Sequence, residues 1–250
     1  MLTRRSTLTL LRTSLTSHSI PTVNYTQPIA NSIFRQSKMP LVTISQSLDE
    51  AYTKHHIIPE VIDKFDTQGL LTIEYNQHEQ VTLGNELSVS GTQHIPKIQF
   101  TLNSPTQDGK IESITNQDKF ILVMTDPDAP SFHDKKWSEY LHWIVADLKL
   151  TDVEAKEGNE PEISHTIDVK QGRELVPYMG PGPPPKTGKH RYIFLLYKQD
   201  PQANELVAPS DRPNWGTGVP ASGVRDWIKK NAPASKLLSV NFFYARNKDN

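Results

Sequence analysis

The 250-residue chain contains no cysteine, which excludes a disulfide framework, a zinc–cysteine centre and a thiol nucleophile together. It also lacks any stretch near the roughly 18 consecutive apolar residues that a membrane-spanning helix needs. Acidic side chains are missing from the first 48 residues, which carry five basic ones: Arg4, Arg5, Arg12, Arg35 and Lys38. The formal net charge of -1 therefore conceals a basic start and a body in which 22 Lys and Arg face 28 Asp and Glu. Such a body argues against a nucleic-acid partner, because duplex binding demands clustered positive charge. Neither G-x-S-x-G nor H-E-x-x-H occurs, and a Cys/His dyad is impossible, so the expectation is a binding protein rather than an enzyme, with no cofactor. What is present, 36% hydrophobic and 22% charged residues, suits one globular domain or at most two small ones. Roughly 70% of the unfolded surface can be buried at this length, so no metal or disulfide is needed to hold the core.

Residues 1–40 read differently from 41–250. Thirteen of the first forty residues are Ser or Thr, and Leu8, Leu11 and Leu15 recur at helical spacing with Arg5 and Arg12 on a flanking edge. That is the composition of a mitochondrial presequence, a cationic amphipathic helix drawn to an anionic membrane surface. The alternative is a disordered extension with no address, since its many Thr residues weaken a helix and Met39 could itself be a start. Asn24-Tyr25-Thr26 fits a glycosylation acceptor, but no secretory segment precedes it. The expected organisation is a basic Ser/Thr-rich extension followed by a single domain over 41–250.

From Ser47 to Phe65 the pattern is helical, with Ser47 as N-cap ahead of Leu48, Asp49 and Glu50. Pro59 interrupts it and should open a second helix that turns Val61, Ile62 and Phe65 inward. After Gly69 the period changes to short apolar runs that read as strands: Leu70 to Tyr75, Ile98 to Leu102, Phe120 to Thr125, His142 to Leu148, Tyr192 to Tyr197 and Val240 to Tyr244. Phe120 to Met124 and Tyr192 to Tyr197 are apolar at every position, as central strands covered on both faces would be. A late helix is expected from Val224 to Lys230, stopped by Pro233. Strands outnumber helices at irregular intervals, which points to a mainly β fold of the α+β kind. The architecture expected is an antiparallel β-sandwich with Greek-key connections and peripheral helices.

Two polar segments abut the strongest strands. Thr125-Asp126-Pro127-Asp128-Ala129-Pro130-Ser131 follows the first, and Gly180 to Tyr192 precedes the second. Strand-end loops are where sites are built, and a Pro-stiffened turn holds Asp126 where it could orient an imidazole; an Asx turn that merely ends the strand is the plainer reading. The Gly-rich segment fails as a phosphate loop, because Gly182 and Gly188 are one residue too far apart and His190 stands where Ser or Thr should follow Gly-Lys. Its prolines also remove backbone donors; a polyproline ligand or a rigid connector remains. Of nine histidines, His142 and His190 alone open apolar strands. With Asp126 and Tyr192 they would form one small anion pocket, provided the strand ends converge. A metal site is the weaker use of these residues, since no helical i, i+4 ligand pair exists.

Asp126-Pro127-Asp128-Ala129-Pro130-Ser131 followed by His142, then Gly180 to Gly188 followed by His190-Arg191-Tyr192, resembles the phosphatidylethanolamine-binding protein family. The resemblance spans about residues 42–246 and is strengthened by Asp211-Arg212-Pro213-Asn214-Trp215-Gly216 and Asn241-Phe242-Phe243-Tyr244-Ala245. It implies a phosphatidylethanolamine-binding-protein-like sandwich in which Asp126, Pro130, His142, Gly182, His190 and Tyr192 line a pocket for an anionic phospholipid head group. In it His142 and His190 would donate to the anion, Tyr192 would offer its hydroxyl, and Asp126 would orient the imidazoles. Two departures stand out: Phe132 replaces a basic residue common in the family, and Pro183-Pro184-Pro185 carries one extra proline. The match is closest to fungal members that inhibit a vacuolar serine carboxypeptidase with a segment ahead of the first helix. Here that segment is Met39, Pro40, Leu41, Val42, Thr43 and Ile44, running on to Gln46. The resemblance therefore implies a cytoplasmic or vacuolar inhibitor of a serine carboxypeptidase. Its alternatives are a lipid-binding signalling adaptor acting on a kinase or a Ras regulator, and a mitochondrial protein of the same fold if residues 1–38 are a presequence.

Overall fold

The computed structural model describes residues 41–103, 112–152 and 164–249, with side chains from residue 46 onward. The expectation for residues 1–40 lies outside the described residues. Among those described, two sheets form. One contains β1 (Gly69–Asn76), β2 (Glu79–Gln80), β4 (Lys97–Leu102), β7 (Leu150–Asp152) and β8 (Ser164–Ile167), in the order β2-β1-β4-β8-β7. The other contains β3 (Asn85–Glu86), β5 (Phe120–Asp126), β6 (Tyr140–Leu148), β9 (Arg173–Val176), β10 (Lys189–Lys198) and β11 (Lys236–Arg246), in the order β3-β11-β10-β5-β6-β9. Pairing is antiparallel throughout except between β3 and β11. Strand β10 returns to lie beside β5 rather than beside β9, the long-return connection of a Greek key.

The two fully apolar runs occupy the centre of the larger sheet for a physical reason. Side chains alternate across a strand, so β5 sends Phe120, Leu122 and Met124 to one face and Ile121 and Val123 to the other, and both faces are covered. The first set meets Leu71, Ile73 and Phe100 of the opposing sheet; the second meets Leu48 and Tyr52 of α1 (Leu41–Lys54) and Trp227 and Ile228 of α2 (Val224–Asn231). The larger sheet thus has a sandwich core on one side and a helical core on the other. Truncating any of these large side chains to Ala would cost about 2–5 kcal/mol, a large share of a domain's net stability. One polar residue crosses the sandwich core at no such penalty: the Asn241 amide donates to Leu71 O and Val81 O while its oxygen accepts from the backbone of Leu83 and Phe242.

Two expectations need correction. The first helix begins at Leu41, so Ser47 lies inside it instead of capping it; β-branched Val42, Thr43 and Ile44 conceal a helix that tertiary packing at Leu48 and Tyr52 supports. No second helix starts at Pro59. Residues 55–62 form turns, with His56 in the left-handed region at φ 55°; the carbonyls of His55 and His56 accept from a side chain of β10, and Pro59 O accepts from the Arg225 guanidinium of α2. Val61 and Ile62 still reach the core, and Phe65 stacks on Tyr52 at 5.8 Å. The short strands β2, β3, β7, β8 and β9 had no periodic signal, being two to four residues long.

Helix α2 has Gly223 at its N-cap and no side-chain cap of its own. The Glu139 carboxylate, directly before β6, takes that place. It accepts from Val224 N–H at 3.3 Å and Thr125 Oγ1 at 2.9 Å, and Thr125 Oγ1 in turn accepts from Trp215 Nε1 at 3.1 Å. Any Cβ at Gly223 would collide with this carboxyl group, which is why the cap residue is glycine. Burial pushes the Glu139 carboxyl up to about 7 from 4.5. A carboxyl raised in the folded state stabilises the fold while protonated and withdraws that support as pH rises through 7. Glu139→Gln, which keeps an acceptor without the charge, should therefore be more stable than the parent at pH 8 by on the order of 3 kcal/mol, with the gap closing near pH 5. Urea unfolding at the two pH values measures this, and a pH-independent gap would refute it.

Candidate functional site

The convergence of the candidate residues follows from strand order. Strands β6, β5 and β10 are neighbours and antiparallel, so the end of β5 and the beginnings of β6 and β10 lie at one edge of the sheet. Asp126 ends β5, His142 is the third residue of β6, and His190 and Tyr192 open β10. A β-bulge adds the final adjustment. Met124 pairs with Trp143 but Thr125 pairs with Leu141, which leaves His142 as the extra residue. The His142 ring meets Tyr192 edge-on at 5.1 Å, and Tyr192 lies nearly parallel to His190 at 6.5 Å.

The hydrogen bonds divide the roles differently from the expectation. Asp126 Oδ2 lies 2.8 Å from His190 Nδ1, while Asp126 Oδ1 accepts from Asp128 N–H at 2.7 Å. The turn is thus an Asx turn and a histidine-orienting carboxylate at once. Asp126 holds only one imidazole; His142 Nδ1 is held by Met179 O at 2.7 Å. The second nitrogen of His190 is also engaged, 2.9 Å from Thr187 Oγ1, whose hydroxyl donates to Pro184 O at 2.7 Å. Gly182 is exposed, and its backbone is among the groups that act on the Tyr192 phenol. Pro130 is half-buried on the turn, with no hydrogen bond or ring contact joining it to the others. His142 is 4% exposed, and burial, opposed by Asp126, holds its imidazole below the usual 6.5. Burial likewise keeps the Tyr192 phenol well above 10 and so protonated.

Sequence reasoning passed over the strongest polar cluster, which alternates with this one. Arg191 is 2% exposed and all five of its N–H groups are used. Nε and one Nη2 hydrogen reach Asp128 at 2.8 and 2.7 Å, the other Nη2 hydrogen reaches Glu60 at 2.9 Å, and Nη1 donates to His55 O and His56 O, both at 3.0 Å. Although burial works against its charge, Asp128 and then Glu60 hold Arg191 above its ordinary pKa. The signal available was the pairing of two acids in one turn with two bases at adjacent positions of one strand: Asp126 with His190, Asp128 with Arg191. The Lys135 ammonium lies 5.2 Å from the Phe132 ring centre and 2.9 Å from Glu60. Of the proposed inhibitory segment, Met39 and Pro40 lie outside the described residues and Leu41 to Ile44 belong to α1.

Two cavities of about 620 and 440 Å³ lie elsewhere. The first is lined by residues 207–218 and α2, the second by an ion-pair network of Lys119, Asp147 and Arg173.

Residues 63–243 match the family model described as phosphatidylethanolamine-binding protein. The carboxypeptidase Y inhibitor of Saccharomyces cerevisiae is 39% identical over 217 residues, covering 83% of this chain and 98% of the inhibitor. The crystal structure of carboxypeptidase Y inhibitor complexed with its cognate proteinase superposes with a TM-score of 0.72 at 40% identity, over 82% of this chain and 97% of that one. A CENTRORADIALIS-like protein of Arabidopsis thaliana is 33% identical over 161 residues, 64% of this chain and 76% of its own length.

The Arg191 cluster generates a stability test. Asp128→Asn leaves a buried guanidinium without its bidentate counter-charge and should destabilise the fold by about 3–5 kcal/mol in urea unfolding. Amide exchange in α1 should accelerate more than in β1 and β4. A loss below about 1 kcal/mol, the range of an exposed pair, would mean that Glu60 suffices.

Proposed function

The chain belongs to the phosphatidylethanolamine-binding protein family, and on that premise we propose that it inhibits a serine carboxypeptidase while retaining a separate site for an anionic phospholipid head group. The observation that carries this reading is the 39% identity across 98% of the Saccharomyces cerevisiae carboxypeptidase Y inhibitor. A carboxypeptidase active site is a blind cleft, so it is blocked best by a chain end. Of the segment Met39 to Ile44, Leu41 to Ile44 form the first turn of α1, and α1 is fixed to the body by Leu48, Tyr52 and the carbonyls bound to Arg191. A plug on a rigid base loses little entropy on insertion. Residues 1–38 would obstruct entry, so inhibition requires initiation at, or processing near, Met39.

The anion site is independent of the plug. It is built at the edge of β5, β6 and β10, and an anion would sit at Tyr192, Gly182 and His142. That independence favours a second reading, a lipid- or anion-binding adaptor for a kinase or Ras regulator. Location follows the start used: cytoplasm with access to the vacuole from Met39, mitochondrion if residues 1–38 direct import.

Inhibition constants of 1–250 and 39–250, measured side by side against a vacuolar serine carboxypeptidase, test the proposal. The short form should inhibit tightly and the long form at least about tenfold more weakly, a difference of about 1.4 kcal/mol. No inhibition by either at micromolar protein would sink the inhibitor reading and favour the adaptor.

A further inference from the structure

An anion needs donors, and the neutral site has few. Met179 O can only accept, so at 2.7 Å the His142 Nδ1 carries a hydrogen. In the neutral ring Nε2 is then a lone pair. Nε2 has no hydrogen bond to the described residues, yet it is not among the polar atoms sealed from solvent without a partner. His190 cannot compensate, since both its nitrogens face protein partners, Asp126 and Thr187. Asp126 brings negative charge to the same edge. What remains to face an anion is the Tyr192 hydroxyl and the exposed backbone at Gly182.

We propose that this site captures an oxyanion together with one proton, taken up at Nε2 of His142, so that anion binding is coupled to pH. The inference rests on the reading that the Asp126–His142–Tyr192 site binds an anion. The proton turns a repelling lone pair into a charged N–H donor, the stronger class of hydrogen bond. The groups that act on His142 come from every element around it. Tyr140 lies against it on its own strand, Asp126 on β5 favours the charged ring, and His190 on β10 opposes it. Tyr192 on β10 packs edge-on, and Arg212, which donates to the carbonyls of Leu141 and His142, opposes the charge. With burial dominant among these influences the free ring is neutral at pH 7, and an anion reverses the balance.

The sign follows. Without ligand His142 titrates below 6.5; with an anion beside it, it titrates higher. Between those two points each anion brings a proton, and affinity rises about tenfold for each unit that pH falls. A head-group phosphodiester and a free inorganic anion share this chemistry, and both are probes that keep a constant charge across the range. Calorimetric titration of the full chain with sulfate and, separately, with glycerophosphoethanolamine, in two buffers of different ionisation enthalpy between pH 6 and 8, reads the proton count. The expected result is close to one proton taken up per anion, with the better binder identifying the source. His142→Gln should abolish the uptake and flatten the pH profile, whereas Tyr192→Phe should weaken binding and keep the uptake. Binding with no proton uptake and a flat profile overturns the coupling but leaves the anion site standing. No binding of either probe at any pH overturns the anion-site reading and the coupling with it. Nitrogen NMR of the ligand-free chain is an independent check: a neutral His142 protonated at Nε2 instead of Nδ1 also refutes the proposal.

Discussion

A single guanidinium holds three parts of this molecule in register. Arg191 projects from β10, grips the β5–β6 turn through both oxygens of Asp128, and takes the two carbonyls that end α1. A buried charge with any unmet donor would be a liability of several kcal/mol. With all five donors met, the same charge ties one turn and the residues after one helix to one strand. The chain after α1 must present carbonyls to Arg191, and it does so by turning at His56.

The clamp also separates two faces of a small domain. Successive β10 residues serve different sides: Arg191 serves the helical layer, while His190 and Tyr192 serve the strand ends where the candidate site lies. The Asp126-Pro127-Asp128 turn matches that division, with Asp126 bound to His190 and Asp128 to Arg191. The turns behind α1 and the His142–Tyr192 pair are therefore anchored to neighbouring residues of one strand through separate contacts.

Much of the fold was legible because burial writes itself into residue pattern. Phe120 to Met124 and Tyr192 to Tyr197 have no polar face, and only the centre of a sheet covered on both sides accepts such strands. Val224, Trp227 and Ile228 mark a helix face in the same way, and all three are buried. The misreadings have equally specific causes. Val42, Thr43 and Ile44 suit a strand better than a helix, and nothing local reveals that Leu48 and Tyr52 will anchor the turns behind them. Pro59 opens helices in general; here the Pro59 carbonyl, which the first turn of such a helix would use, accepts from distant Arg225.

The candidate site divides along the same line. Residue types and their places at strand ends were enough to select Asp126, His142, His190 and Tyr192, because strand ends in a sandwich are positions where polar side chains have a reason to stand. Which atom faces which depended on contacts between residues far apart in the chain. The bulge that re-aims His142, the Met179 carbonyl that sets its tautomer, and Asp126 holding His190 are invisible to a pattern read along one strand. The sequence by itself determined the strands, the central pair and the set of candidate residues, since each follows from local hydrophobic period and composition. Only the tertiary structure decided protonation, partner and orientation, since those are set by hydrogen bonds that close loops of tens of residues.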